Sequence, residues 1–394
     1  FYFPEYEGDN GDGGLYNYDP STEEIIWIYP FDDQYEMNLN SSAVTDIEFD
    51  DSDRMWVVNG GMVERFNGYF LELVSFKHDQ DIVDYDNYVI HHSDTYSYVG
   101  NQSSGVQKVM RQVFPSNDPL LAYQWGIHNF GNQALFPGSV AGADASVVDA
   151  WSVKSSAVTD DDETVKVAIF DTGIEKEHED LQGNLWMNPL EEPNGFDDDG
   201  NGFVDDIYGW DAVYENGYPY DGQGHGTHVA GIVGARGNNG MGVSGVAQEV
   251  ELIDVRIFDD NGSTSTFAIL TGYEYLSALL KTGVEIAAVN QSWGGGAAYD
   301  DPYRQKVVGL YTDYAREHNE YGMTWVISAG NADANNDRVN FYPYPNNLPS
   351  PNIVVVASSD YTDQKSGFSS FGNRTVDIAA PGSTILSTYI NNDY

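Results

Sequence analysis

Three residues of this 394-residue chain have the types and settings for proton chemistry: Asp171, His225 and Asn331. Asp171 closes the apolar run Val165 to Phe170, broken only by Lys166, and leads into Thr172-Gly173. Such a run reads as a buried strand of a parallel sheet, which places the carboxylate at the strand's carboxyl end, where open α/β sheets bind their ligands. His225 stands in Asp221-Gly222-Gln223-Gly224-His225-Gly226-Thr227-His228, ahead of the small apolar stretch Val229 to Ala235. The glycines permit a sharp turn, and the small residues suit a helix lying close against a sheet. Asn331 ends a third run, Val326-Ile327-Ser328-Ala329-Gly330, and Asn290-Gln291-Ser292-Trp293-Gly294-Gly295 closes another. Taken singly, the histidine would pass for a packed side chain and the asparagine for a turn residue. Together they put a carboxylate, an imidazole and an amide at or near the carboxyl ends of strands, where a ligand-binding crevice is expected.

Holding these groups together takes a sheet. Strands are expected at Val250 to Phe258, Val284 to Trp293, Met323 to Ala329, Ile353 to Ser358 and Thr375 to Ala379. Helical spacing runs through Ser265 to Lys281 and Tyr303 to Glu317, and Ser146 to Val153 reads as a short first helix. Strand and helix alternate, so the expected fold class is α/β, a mostly parallel sheet with helices on both faces. No Gly-x-Gly-x-x-Gly sits at a first strand-to-helix turn and no Gly-Lys-Ser/Thr loop exists, which removes the nucleotide-binding version of that architecture.

Residues 1–116 carry no such motif. Short β-prone runs at Glu24 to Tyr29, Val44 to Phe49, Met55 to Val58 and Tyr69 to Val74, separated by Asp, Asn, Gly and Ser turns, read as a small β-rich region. Tyr16 to Tyr29 and Thr45 to Phe66 faintly resemble strand pairs of propeller blades. The boundary with the α/β domain, 117–394, falls near Pro115 to Asp118.

With 17 basic and 62 acidic residues the formal net charge is −45. That field repels nucleic acid and anionic membranes and attracts cations. Cysteine is absent, so neither disulfides nor a thiol nucleophile are available. No apolar run approaches the roughly 20 residues a bilayer requires. The start at Phe1 suggests that an upstream segment has been removed.

Five segments, in order, resemble the subtilisin-like serine proteases: Asp171-Thr172-Gly173, His225 to Gly231, Ser292 to Gly295, Ala329-Gly330-Asn331 and Ala380-Pro381-Gly382. Asn117-Asp118-Pro119-Leu120 with Gln124-Trp125-Gly126 is similar to the start of many of their catalytic domains. The resemblance implies a three-layer subtilisin-like fold. It makes Asp171 the orienting carboxylate, His225 the general acid/base, Asn331 the oxyanion donor and His228 a structural residue. It implies that Ser292, Trp293 and Gly294 on one side, and Gly262 and Ser263 on the other, bind an extended polypeptide substrate as an added strand. It also offers a propeptide as the role of residues 1–116, beside an accessory β module. Trp293 and the acidic surroundings suggest basic or extended substrates.

The nucleophile is the departure. The family's serine lies in a Gly-Thr-Ser-Met-Ala type motif beyond Ala380-Pro381-Gly382, and no serine here occupies such a motif; Ser383, Ser387 and Ser369-Ser370 come too early and lack the Gly-Thr turn. The expectation is a second polypeptide carrying the serine, separated by a nick after Ile390, or a sequence cut short.

For metals, Asp197-Asp198-Asp199-Gly200-Asn201-Gly202-Phe203-Val204-Asp205-Asp206 alternates oxygen ligands around a glycine-rich turn. Calcium held by Asp197, Asp199, Asn201, the Phe203 carbonyl and Asp205 is expected, although Tyr208 stands where an EF-hand has its bidentate Glu. A second calcium site, at Asp118, Asp180 and Asn239, is implied by the resemblance alone. Oxygen-only ligands disfavour zinc. Two readings follow: a secreted, calcium-stabilised serine endopeptidase, inactive as this chain alone, or a non-catalytic subtilase-like module of an extracellular assembly. Retention of Asp171, His225 and Asn331 together favours the first.

Overall fold

The computed structural model describes residues 116–159, 163–298, 302–338 and 341–394, together with the backbone of nine strands between residues 15 and 110. The chain divides into two compact units, Phe1–Val113 and Phe114–Tyr394.

In the first unit every described pairing is antiparallel. Strands β1 (Leu15–Asp19) and β2 (Glu24–Tyr29) form a hairpin. Strands β3 (Val44–Phe49), β4 (Met55–Asn59), β5 (Met62–Phe66) and β6 (Leu71–Glu72) form a meander, and β7 (Val89–His92), β8 (Tyr96–Asn101) and β9 (Gly105–Met110) a three-stranded sheet. The connecting segments, and with them the choice between accessory module and propeptide, lie outside the described residues.

The second unit is built on seven parallel strands: β10 (Lys166–Asp171), β11 (Gly209–Asp211), β12 (Glu251–Arg256), β13 (Ala288–Gln291), β15 (Thr324–Ser328), β17 (Ile353–Ser359) and β18 (Ile378–Pro381). Their order is β11-β12-β10-β13-β15-β17-β18, and every pairing among them is parallel. The side-chain period of two on β10 shows how the layers form. Ala168 and Phe170 face one way, into a core shared with Tyr273, Leu276 and Leu279 of α3 (Thr266–Thr282) and Tyr311 and Ala315 of α4 (Pro302–Glu320). Ile169 faces the other way, onto Val229 and Ala230 of α2 (His225–Gly234). Burial on both faces accounts for the near-continuous apolar character of the run. The short first helix is α1 (Val147–Trp151).

The chain leaves β10 for β11 and β12 on one side, then returns to β13 on the other. That reversal opens a crevice at the carboxyl end of β10, beside Asp171.

Strand β13 covers only Ala288–Gln291 of the expected Val284 to Trp293, and three further elements differ from the sequence expectation. Strand β18 begins at Ile378, three residues late, because Asp377 spends its carboxylate on the Val355 amide of the neighbouring strand (2.8 Å) before pairing starts. β11 has three residues, too few to show a period. Strand β14 (Gly295–Ala298) pairs antiparallel with β16 (Phe341–Tyr344), although Gly-Gly-Ala-Ala is weakly β-forming by composition.

One buried group gives the fold a pH dependence. His318 of α4 is fully buried; Trp325 Nε1–H donates to its Nδ1 (3.2 Å), which leaves the ring proton on Nε2, where it donates to Ser277 Oγ (3.0 Å). Burial lowers its pKa to about 4 from the usual 6.5. The unfolded chain therefore binds a proton between those values that the folded chain does not, so stability falls as pH drops from about 6.5 to about 4. The full contribution is about 3 kcal/mol. Thermal melts at pH 7 and pH 4.5 should show a smaller acid-induced loss of Tm in His318→Gln than in the wild type. Equal losses would mean that His318 does not carry this dependence.

Candidate active site

Asp171 is 1% exposed at the end of β10. Its Oδ1 accepts from the Thr172 amide (2.8 Å) and from His225 Nδ1–H (2.7 Å), while Oδ2 is buried without a hydrogen-bond partner. This leaves a desolvated negative charge whose natural complement is an imidazolium. The bond to Asp171 raises the His225 pKa, with burial opposing it and the charges of Asp171 and Asp221 assisting.

His225 reaches Asp171 because α2 starts hard against the loop that follows β10. Gly226 lies so close to that loop that a Cβ would come within 2.1 Å of the Gly173 carbonyl oxygen. Gly224, the residue before the helix, has φ +103°, and a Cβ there would strike the Tyr389 ring at 2.5 Å. Both glycines are thus required by close approach and backbone sign.

The imidazole is half exposed (49% for the side chain) and its free edge faces a cleft of about 660 Å³. Asn331, exposed at the end of β15 beyond Gly330, lines the same cleft, as do Ser292, Trp293, Gly294 and Gly262. The structure therefore gathers a base held by an anion, an amide donor and two stretches of backbone around one space. Among the described residues no serine hydroxyl is bonded to His225. His228, one turn along α2, donates from Nε2 to the Ile385 carbonyl (3.2 Å) and is held neutral by burial.

Of the expected substrate contacts, Ser263 comes out differently, and the Trp293 side chain packs inward. The Trp293 ring turns into the core, 8% exposed, against Phe170, Phe258 and Tyr311, with ring centroids 6.2–6.4 Å apart. Trp293 still lines the cleft, with most of its ring taken up by these contacts. Ser263 lies outside the cleft lining; its amide donates to Asp259 Oδ1 (2.8 Å) and its carbonyl accepts from the Asp259 amide (2.9 Å). Gly262 alone of that pair lines the cleft. The loop is anchored by Arg256, fully buried, whose guanidinium bridges Asp211 (2.7 Å) and Asp260 (2.6 Å) and lies over the rings of Tyr214 and Tyr220.

Residues 162–394 match the family model described as the Subtilase family. The chain belongs to the subtilase family. It is 34% identical to thermitase of Thermoactinomyces vulgaris over 229 residues, 58% of this chain and 67% of that protein. It is 28% identical to subtilisin-like protease 1 of Plasmodium falciparum (isolate 3D7) over 249 residues, 59% of this chain and 34% of that protein. Over 100 residues, 25% of this chain and 17% of the relative, it is 45% identical to subtilisin-like protease 1 of Plasmodium berghei. A solved lanthipeptide protease superposes with a TM-score of 0.43 at 20% identity, covering 63% of this chain and 61% of that one. The aligned stretch is thus a part of each relative, about a third of the P. falciparum protein. Among the described residues of this subtilase no helix is long and apolar enough to cross a membrane.

The subtilase carries two acidic clusters away from the cleft. In the first, Glu191, Asp199 and Asp206 bring ligand oxygens within 4.8 Å of one another, and Glu191 and Asp206 are buried. Asn201 sits beside them, its amide donating to Asp199 and Asp206 (3.1 Å each). Burial, reinforced by the charges of Asp199 and Glu191 against bonds from Tyr275 and Asn201, pushes the Asp206 carboxyl up to about 7. An oxygen-liganded cation would relieve that strain, so the donor set fits calcium.

The cluster of converging carboxylates differs in part from the sequence-derived ligand set, which shares Asp199 with it. Asp205 has φ +55° and turns its carboxylate outward to the Asn194 and Gly195 amides (3.0 and 2.9 Å). Asp197 caps the turn by accepting from the Asn201 and Gly202 amides (3.0 and 2.9 Å), and the Phe203 ring packs against Trp210 and Tyr275 in the core. Asp206 and Glu191 were not anticipated. Asp206 is adjacent to the expected residue, whereas no local pattern marks Glu191.

In the second cluster Asp180 Oδ1 accepts from the Asn239 side-chain amide (2.7 Å), and Asp118 accepts from the Asn238 and Asn239 backbone amides (2.8 and 3.1 Å). The three residues implied by resemblance do come together. Burial, with the nearby charges of Asp118 and Glu179, pushes Asp180 up to about 6.

Proposed function

We propose that this chain carries the Asp, His and oxyanion-donor part of a secreted, calcium-stabilised serine endopeptidase of the subtilisin kind, acting on polypeptides. The observation that carries the reading is the 2.7 Å bond from His225 Nδ1–H to buried Asp171, with His225 lining the same cleft as Asn331. The nucleophilic serine is supplied by polypeptide outside these 394 residues, either following in the same precursor or as a second chain.

In this mechanism substrate backbone lies along Ser292 to Gly294. His225 Nε2 takes the serine proton as the hydroxyl attacks the scissile carbonyl and returns it to the leaving amine. Asp171 holds the ring with Nδ1–H toward itself and stabilises the imidazolium, and the Asn331 side-chain amide donates to the carbonyl oxygen as charge builds there. Calcium, held by Glu191, Asp199 and Asp206 and by Asp118, Asp180 and Asn239, has a structural role. Sites of this kind fill at the millimolar calcium outside cells, which supports secretion.

Labelling the purified full-length protein with a fluorophosphonate, followed by peptide mapping, tests the reading. The label is expected on a serine in a Gly-Thr-Ser-Met peptide and should disappear in His225→Ala. Absence of both label and peptide hydrolysis would favour a non-catalytic module. Asn331→Ala should lower kcat about a hundred- to a thousand-fold with KM little changed, because its bond forms only as the oxyanion develops. A loss in KM alone would reassign Asn331 to ground-state binding.

A further inference from the structure

Asp221, 6% exposed, lies in the loop between β11 and α2. Its Oδ1 accepts from Thr172 Oγ1 (2.9 Å) and from the Gln223 and Gly224 amides (2.9 and 2.8 Å). Its Oδ2 accepts from the Thr227 amide (2.9 Å) and Thr227 Oγ1 (2.7 Å). Five donors fill the acceptor capacity of one carboxylate.

The origin of those donors separates this arrangement from a helix cap. A cap would satisfy amides at the start of α2 and nothing more. Here Thr172 belongs to the other segment, immediately after Asp171, and its hydroxyl oxygen also accepts from the Gly226 amide (2.8 Å). Residues 223, 224 and 227 bracket His225, whose own amide donates to Gln223 Oε1 (2.8 Å). One carboxylate therefore ties the strand end that carries Asp171 to the helix start that carries His225.

We propose that Asp221 is the positioning residue of this pair, setting the Asp171–His225 geometry and placing a second fixed negative charge near the imidazole. The proposal rests on the protease reading of Asp171 and His225. Among the described residues, the charged and titratable groups around the imidazole are Asp171 from β10, Asp221 from the loop and His228 on α2 itself. The segment Ile385 to Tyr389 bonds α2 through the Ile385 carbonyl, Ser387 and Thr388, and bonds the loop before it through the Tyr389 hydroxyl, which donates to the Gln223 carbonyl; it brings no carboxylate or basic side chain.

The test is Asp221→Asn in the full-length protein, which keeps size and one acceptor but removes the charge and the acceptor facing Thr227. NMR titration of the His225 ring, assigned by its loss in His225→Ala, should show a pKa lower by about half a unit or more. The downfield Nδ1–H resonance should weaken, the acid limb of kcat/KM should move with the pKa, and kcat should fall about tenfold with KM within about twofold. A folded variant with wild-type titration and kcat overturns the proposal. If Asp221→Asn does not fold, Thr172→Val, which cuts the tie from Asp221 to the strand end together with the Gly226 amide's bond to the same hydroxyl, decides: a weakened Nδ1–H resonance supports the role, and a wild-type resonance overturns it. The NMR signals need no turnover, so a protein that shows these shifts but cleaves no peptide sinks the protease reading while the positioning role stands.

Discussion

Asp171→Asn is expected to lower kcat of the complete protease about 10⁴-fold, and His225→Ala about 10⁶-fold, the scale on which triads lose activity. The physical reason is the asymmetry of the Asp171 carboxylate. One oxygen accepts from the Thr172 amide and His225 Nδ1–H; the other is buried and unpartnered. Asn preserves the volume and one acceptor, so the fold should hold. Without the charge, an imidazolium loses its hydrogen-bonded counter-ion, and an amide NH₂ turned toward Nδ1 would select the wrong tautomer. Steady-state kinetics with a thermal melt on each variant checks this. More than about a tenth of wild-type kcat in either would remove the assignment, and a collapsed melt would show that the residue serves the fold instead.

Chelating calcium at pH 7 is expected to lower Tm by about 10 °C. A cation that binds only the folded state at a thousand times its Kd contributes about 4 kcal/mol, and a domain of this size shifts by about 2–4 °C per kcal/mol. The buried carboxylates identify where that energy resides: Asp206, pushed up to about 7, and Asp180, pushed up to about 6, are both held close to other carboxylates. Asp206→Asn should remove part of the chelator sensitivity, and Asp206→Asn with Asp180→Asn most of it. A melting curve unmoved by excess chelator would sink both metal sites. Sensitivity unchanged in the double variant would place the ion elsewhere.

The Asp171–His225 pairing and the cleft position of Asn331 were legible because their constraints are local. Gly224 and Gly226 around His225, and Gly330 before Asn331, are required by a positive φ or a close approach, and such requirements leave short motifs in the chain. The metal and substrate loops were less legible because their side chains are aimed by single backbone torsions. At Asp205 a positive φ accompanies one carboxylate bonded to the Asn194 and Gly195 amides while its neighbour Asp206 is buried beside Glu191 and Asp199, a difference of one residue that composition does not record. At Ser263 a turn closed by Asp259 consumes the backbone groups expected to meet substrate. At Trp293 a neighbouring aromatic core, assembled from β10, α4 and the segment after β12, claims the ring.

The amino-acid sequence by itself determined the alternation of strand and helix, the family, and the identity of Asp171, His225 and Asn331. Periodicity and glycine placement are properties of neighbouring residues and survive without a fold. Only the tertiary structure decided which carboxylates converge, Glu191 and Asp206 with Asp199, and that Asp221 links the two catalytic segments. Those groupings join residues distant in the chain, and their members are selected by burial and loop torsions that no local pattern records.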